Sequence, residues 1–268
     1  MKLFDEQAKD GKLSFLANSS NPELICLHGW INNRYSYGPL LESLDGKLSA
    51  AAIDLPGFAN QLQDSDFSLD TYLEQLHEAL QSFGHRLDIM GNSMGASLAL
   101  IYSIRYPEHI DKLILRVPYI NRQQFHLFPA WLLNIIFQLS RRNWVIELFR
   151  PLVIAVYKRI AHPRRGNDDS EQYYQKSLTM LQTLDSKLAR DIIAALFAHD
   201  LTALLEANHK PTLLILGRED ELFKSALKNA KLGDNYRIAY TSHHSLLRQD
   251  QDKLAEQVTN FMKATEHI

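Results

Sequence analysis

Ser93 stands in the run Leu87-Asp88-Ile89-Met90-Gly91-Asn92-Ser93-Met94-Gly95-Ala96, where a short apolar strand enters a G-x-S-x-G turn and continues into a helix rich in small residues. The chemistry that pattern supports is attack by an activated serine oxygen. In a strand-to-helix elbow the serine backbone is held at φ > 0, so its neighbours on either side must be nearly without side chains. Gly91 and Gly95 meet that demand. The turn lifts the hydroxyl above the sheet and aims the first N–H groups of a helix, expected over Ala96 to Arg105, at the place where negative charge develops. A bare G-x-S-x-G also fits an ordinary Gly/Ser loop. The flanking strand and helix are what favour a nucleophile.

A second constellation lies upstream. Glu23-Leu24-Ile25-Cys26-Leu27 reads as a buried strand that ends in His28-Gly29-Trp30, where a glycine lets the chain turn sharply beside a substrate. This has the look of an oxyanion loop. In that reading the backbone N–H groups of Trp30 and Met94 receive the carbonyl oxygen as it becomes an anion, each donor lowering the barrier by about 3 kcal/mol. The His28 side chain is expected only to brace the loop.

A nucleophilic serine needs a base and a group that orients the base. After a strand from Pro211 to Leu216 comes Gly217-Arg218-Glu219-Asp220, a carboxylate at the C-terminal end of a parallel-type strand, where open α/β sheets carry their sites. Asp220 is the candidate orienter, with Glu219 and Glu221 as flanking alternatives. A last strand, Tyr236 to Tyr240, leads into Thr241-Ser242-His243-His244-Ser245. His244 is the candidate base from its spacing to the following helix, and His243 stays open beside it.

Taken together, His28-Gly29-Trp30, Asp54-Leu55-Pro56-Gly57-Phe58, Gly91-Asn92-Ser93-Met94-Gly95, Gly217 to Asp220 and His244 resemble the α/β-hydrolase superfamily along nearly the whole chain. Each piece is weak alone, and five in the correct order are specific. The resemblance implies a serine hydrolase with the triad Ser93, His244 and Asp220, in the order Ser, Asp, His that this architecture uses. It also implies a mostly parallel twisted sheet flanked by helices, with an inserted helical cap. Two departures bear on loop conformation: Ala59-Asn60-Gln61 stands where many relatives have Gly-x-Ser, and His243 stands where a glycine often precedes the histidine. Within the family, His-Gly-Trp and Asp-Leu-Pro-Gly-Phe resemble carboxylesterases that demethylate pimeloyl-acyl carrier protein methyl ester and meet that acidic carrier through cap arginines. Monoacylglycerol-type lipases and hydrolases of C–C bonds share the fold, as do non-catalytic ligand-binding proteins. Relatives that open haloalkanes or epoxides use an aspartate at the elbow, so Ser93 argues for a carboxylic ester or thioester.

The elements that must position these residues alternate as a parallel sheet with crossover helices requires. Two opening strands, near Lys2 to Asp5 and Lys12 to Ala17, are joined by the hairpin signal Lys9-Asp10-Gly11. A helix from Tyr35 to Leu44, a strand from Ser49 to Asp54, a helix from Leu69 to Phe83, the nucleophile strand and a strand from Lys112 to Val117 follow. From Pro118 to about Ala207 the strand signal disappears. Apolar residues recur there at helical spacing, as in Trp131, Ile135, Leu139 and Tyr173, Leu178, Leu181. The expected division is a core of residues 1–117 and 208–268 with a cap of residues 118–207. An amphipathic helix from Asp250 to Lys263 closes the chain.

The chain has 268 residues, 46% of them hydrophobic and 22% charged, ordinary values for a globular protein with one large core. Met1 to Gln7 lacks the apolar stretch of a secretory signal, which makes a cytoplasmic location the expectation. Cys26, the single cysteine, falls on a strand and reads as a small core residue. No run has metal-ligand spacing, and the glycine patterns of a dinucleotide fingerprint or P-loop are missing, so no cofactor is expected. Between Asn121 and Arg165 eight basic residues (Arg122, Arg141, Arg142, Arg150, Lys158, Arg159, Arg164, Arg165) face one acid, Glu147; that +7 against −2 for the chain leaves −9 for the remainder. Such asymmetry fits an anionic partner, an acyl carrier protein or an anionic lipid surface, and equally a solvated helix face. Beyond a small acyl ester, no nucleic-acid partner is expected. The apolar run Leu127 to Leu139 falls short of the roughly 20 residues a spanning helix needs.

Overall fold

The computed structural model describes residues 3–7, 13–58, 67–83, 86–121, 124, 143–162, 168–217, 227, 230–241, 246 and 250–264. Its centre is a sheet whose described strands are β1 (Phe4–Gln7), β2 (Ser14–Ala17), β3 (Leu24–Leu27), β4 (Ala50–Ile53), β5 (Leu87–Asn92), β6 (Ile110–Arg116), β7 (Thr212–Gly217) and β8 (Tyr236–Thr241). They lie in the order β1-β2-β4-β3-β5-β6-β7-β8. Strands β1 and β2 pair antiparallel from Phe4 against Ala17 to Gln7 against Ser14, as the hairpin signal requires; the turn residues themselves lie outside the described residues. β2 runs antiparallel to β4, and every later pairing is parallel. Leu-Ile-Cys-Leu on β3 and Ala-Ala-Ala-Ile on β4 are buried at every position. Continuous apolar runs of this kind are what a sheet covered on both faces selects.

Helix α1 (Gly38–Leu44) is preceded by a separate 3-10 turn, Arg34–Tyr37, where the sequence suggests one helix from Tyr35. The break has two local causes. The Asn33 side chain accepts from the Tyr35 N–H and caps the turn, and Pro39 lacks the N–H that would carry an α-helical ladder back into it. Helix α2 (Leu69–Gln81) starts on Ser68, whose hydroxyl accepts from the Thr71 N–H, and buries Tyr72, Leu73, Leu76 and Leu80 along one face. Helix α3 (Met94–Arg105) begins two residues before the expected Ala96, directly after Ser93.

Between β6 and β7 the described chain contains α4 (Asn143–Ala161), α5 (Asp168–Thr183), α6 (Ser186–Phe197) and α7 (Thr202–Ala207), and no described residue there belongs to a strand. Asp185 caps α6 by accepting from the Lys187 and Leu188 N–H groups. Tyr173 and Leu181 are buried and Leu178 half-buried, whereas Trp131, Ile135 and Leu139 lie outside the described residues. α5 seats on the core through Tyr173. Its ring lies so close to Gly38 that a Cβ there would fall 2.4 Å from it, and its hydroxyl donates to Glu42 Oε1 at 2.6 Å. Helix α8 (Gln251–Ala264) packs against α1 with Leu254, Ala255, Val258, Phe261 and Met262 buried.

Candidate active site

Ser93 has φ +52° and ψ −116° between β5 and α3. Few L-residues occupy that conformation, and it persists here because the backbone on both sides is engaged. The Ser93 N–H donates to the Arg116 carbonyl at 2.8 Å, and the Ser93 carbonyl accepts from Ala96 at 3.0 Å and Ser97 at 3.1 Å. A Cβ on Gly91 would sit 2.3 Å from Ala96 N and Cα, and one on Gly95 would sit 2.2 Å from the Leu27 carbonyl oxygen and 2.6 Å from that of His28. The two glycines let α3 press against the end of β3. That contact brings Ser93, itself half-buried, beside the loop that follows β3.

The approach continues at Gly29. A Cβ there would lie 3.4 Å from Ser93 Cβ and 3.2 Å from Asn92 Nδ2, so the chain at Gly29 passes the elbow at a distance that leaves little room for a side chain. Met94 opens α3, and the first N–H groups of a helix have no partner within it. The Met94 N–H therefore belongs to the positive end of α3, next to the loop carrying Trp30.

His28 braces this loop, as expected. It is fully buried, its Nδ1 lies 2.9 Å from the Gly29 carbonyl oxygen, its Nε2 accepts from the Leu55 N–H at 3.1 Å, and Phe58 meets its ring edge-on at 4.8 Å. Holding both contacts places the proton on Nδ1. Burial pushes its pKa down to about 4, so the imidazole is neutral at physiological pH. The Asp54-Leu55-Pro56-Gly57-Phe58 run acquires a purpose here: Leu55 and Phe58 hold His28, and Asp54 accepts from the Arg34 N–H at 2.8 Å and pairs with the Arg34 guanidinium.

The loop is also tied to the helices between β6 and β7. Trp30 Nε1 donates to the Ala189 carbonyl on α6 at 2.8 Å, Asn33 Nδ2 donates to the Ser177 carbonyl on α5 at 3.3 Å, and the Ser177 hydroxyl donates to Asn33 Oδ1 at 3.0 Å.

Asp220, Glu219, Glu221, His243 and His244 lie outside the described residues. The strands that lead to them are described. β7 ends at Gly217, three residues before Asp220, β8 ends at Thr241, two before His243, and Gly217 pairs with Thr241. Because β5, β6, β7 and β8 run parallel, these strands end on the edge of the sheet where Ser93 emerges. One residue on that edge escaped the sequence reading. Arg116, at the end of β6, is fully buried, and its guanidinium donates to Asn92 Oδ1 and, at 3.2 Å, to Thr241 Oγ1. A lone arginine in the apolar run Leu113-Ile114-Leu115-Arg116-Val117 was the available signal.

The family model for the α/β-hydrolase fold matches residues 22–247. The chain belongs to that family. This α/β-hydrolase is 24% identical to the pimeloyl-[acyl-carrier protein] methyl ester esterase of Nitrosomonas europaea over 212 residues, 75% of this chain and 78% of that protein. It is 23% identical to the protein of the same name from Pseudoalteromonas atlantica over 258 residues, 91% of this chain and 96% of that one. Among solved structures, the esterase EaEST from Exiguobacterium antarcticum superposes with a TM-score of 0.72 at 18% identity, covering 98% of this chain and 100% of that one.

Of the basic residues noted between Asn121 and Arg165, the α/β-hydrolase structure describes Arg150, Lys158 and Arg159, all on α4; Arg122, Arg141, Arg142, Arg164 and Arg165 lie outside the described residues. Arg150 donates to the Gln182 carbonyl, while Lys158 and Arg159 are exposed. The same helix exposes Leu148, Leu152 and Val156 at 66%, 57% and 48%, a stripe at intervals of four. Among the described residues no three His, Cys, Asp or Glu side chains gather as a metal site, and no helix is long and apolar enough to cross a membrane.

Proposed function

We propose that this α/β-hydrolase cleaves carboxylic esters or thioesters through an acyl-enzyme on Ser93. His244 takes the Ser93 hydroxyl proton as the oxygen attacks the acyl carbonyl, and Asp220 fixes the imidazole in the tautomer that can accept it. The Trp30 and Met94 N–H groups hold the resulting oxyanion. Collapse of the tetrahedral intermediate expels the alcohol or thiol with the proton from His244. Water, deprotonated by the same imidazole, then releases the acid and restores the serine. The observation that carries this reading is Ser93 at φ +52° at the head of α3 with Gly29 against it. In this reading residues 118–207 act as a cap over a core of residues 1–117 and 208–268.

The test is hydrolysis of p-nitrophenyl acetate and butyrate together with fluorophosphonate labelling. Wild type turns over and labels, and Ser93→Ala does neither; equal turnover in the two removes the proposal. A wild-type protein that resists the fluorophosphonate is instead a binding protein on this fold. A series of esters of graded acyl length separates a small-ester esterase from a lipase, which would favour the long chains.

A more specific substrate, a methyl ester carried on an acyl carrier protein, draws support from matches that extend over most of both pimeloyl-[acyl-carrier protein] methyl ester esterases. It also draws support from α4, on which the exposed Arg159 shares a face with the exposed apolar stripe. An acidic carrier needs both kinds of contact.

A further inference from the structure

We infer that Arg116 is a positioning residue for this hydrolysis, holding the strand that carries the nucleophile in register with the strand that delivers the base. The inference rests on the ester-hydrolase reading above and assigns a role to a side chain that the triad and the oxyanion donors leave unused.

Arg116 stands at the end of β6, beside the elbow. Its carbonyl accepts the Ser93 N–H, so the backbone of this residue already sets the height of the elbow. Its position on β6 pairs with Asn92 on one side and Ile215 on the other, which puts it between the nucleophile strand β5 and the strand β7 that leads to Asp220. From there the guanidinium donates to Asn92 Oδ1, one residue before Ser93, and to Thr241 Oγ1 on β8, two residues before His243 and three before His244. Asn92 in turn directs its other amide atom, Nδ2, toward Gly29. One side chain thus connects the base strand to the elbow, and through Asn92 to the oxyanion loop, across residues 24 and 125 positions away in sequence.

Arg116 is fully buried, and taking a charge out of water carries a desolvation cost that its hydrogen-bond partners must offset. The guanidinium does suit a geometric task. It is planar and offers donors in a rigid fork, so two acceptors on different strands fix their mutual position more tightly than one flexible ammonium would. The acceptors here flank the two reacting side chains of the proposed triad. A serine oxygen and an imidazole must meet within hydrogen-bond reach, and displacement of either by about 1 Å costs about 100-fold in rate.

The experiment uses the full chain and three variants, Arg116→Met, Arg116→Lys and Thr241→Val, with steady-state hydrolysis of p-nitrophenyl butyrate, the rate of Ser93 labelling by a fluorophosphonate, and thermal unfolding. Arg116→Met is expected to fold with a lowered unfolding temperature, since Asn92 Oδ1 and Thr241 Oγ1 lose their donor. Its kcat and labelling rate should fall by about 10- to 100-fold with KM changed less than about threefold, because alignment and not binding is lost. Arg116→Lys should recover part of that loss. Thr241→Val keeps the charge and removes one acceptor, and it should lower kcat in the same sense; if Arg116→Met does not fold, this variant carries the test. A folded Arg116→Met within about twofold of wild type in kcat and labelling overturns the inference, as does a wild-type rate in Thr241→Val. These results leave the hydrolase reading intact as long as wild type labels at Ser93, whereas failure of wild type to label overturns that reading and this inference together.

Discussion

Ser93 carries backbone strain at the position proposed for the nucleophile, and that gives a measurable signature. A non-glycine residue held at φ +52° and ψ −116° costs about 1–3 kcal/mol, and a glycine there would not bear it. Ser93→Gly should therefore be more stable than Ser93→Ala by about 1 kcal/mol in urea unfolding, with neither variant turning over ester. The neighbouring glycines work in the other direction. Gly95→Ala drives a methyl onto two backbone carbonyls at 2.2 and 2.6 Å, which cannot swing aside as a side chain can, and it should lose about 3 kcal/mol or fail to fold. His28 links the loop to pH. Its folded pKa near 4 lies below the ordinary 6.5, so the native state binds fewer protons than the unfolded chain between those values, and its contribution is complete above pH 6.5 and lost as pH falls through 4. The full difference is roughly 3 kcal/mol. Asp88, pushed up to about 6 by burial, acts in the opposite sense across nearly the same range, because its native state gains protons there. The check is the stability difference between wild type and His28→Gln measured at pH 7 and pH 4.5, which should shrink at the lower pH.

At the scale of elements, the loop after β3 is supported from two sides. Leu55 and Phe58 hold it from the core, and Ala189 and Ser177 hold it from α6 and α5. The Trp30 indole is the longer of these ties, spanning 159 positions, and it is made by the residue whose backbone N–H is the proposed oxyanion donor. Removing that donor with Trp30→Phe loses one hydrogen bond of about 1 kcal/mol, which corresponds to roughly a fivefold fall in kcat/KM if the bond helps to hold the loop in its catalytic position. Turnover of p-nitrophenyl butyrate measures it; an unchanged kcat/KM with an unchanged unfolding temperature would show that α6 does not set the loop.

For the whole molecule, charge is the feature that separates one region from the rest. Residues 121–165 carry +7 and the remainder −9. A field of this kind steers an acidic partner and is screened as the Debye length shrinks from about 10 Å at 0.1 M salt to about 3 Å at 1 M. If an acyl carrier protein delivers the ester, kcat/KM on the carrier-linked methyl ester should fall by about tenfold or more over that range. Turnover of p-nitrophenyl acetate, which has no charge to steer, should change less than about twofold. Replacing Arg141 and Arg142 by glutamine should reproduce part of the salt effect on the first substrate and leave the second alone. A flat salt profile on the carrier-linked ester would count against a carrier partner for this basic segment.

What the amino-acid sequence determined by itself was what local rules govern. The run from Leu87 to Ala96 specifies strand, elbow and helix because each glycine answers a demand made by its immediate neighbours, and apolar runs such as Leu24 to Leu27 declare buried strands. The split of one expected helix into the Arg34–Tyr37 turn and α1 was also local, written in Asn33 and Pro39, and was hidden by an apolar pattern that runs through both. Tertiary structure alone decided that His28 would share its two ring nitrogens between Gly29 and Leu55, that the Trp30 ring would reach Ala189, and that Arg116 would lie between Asn92 and Thr241. Apart from Gly29, those partners lie far along the chain from the residues they meet. Only the stacking of parallel strands with their ends on one edge brings them within reach, and nothing in the spacing of residues along a single element encodes that distance.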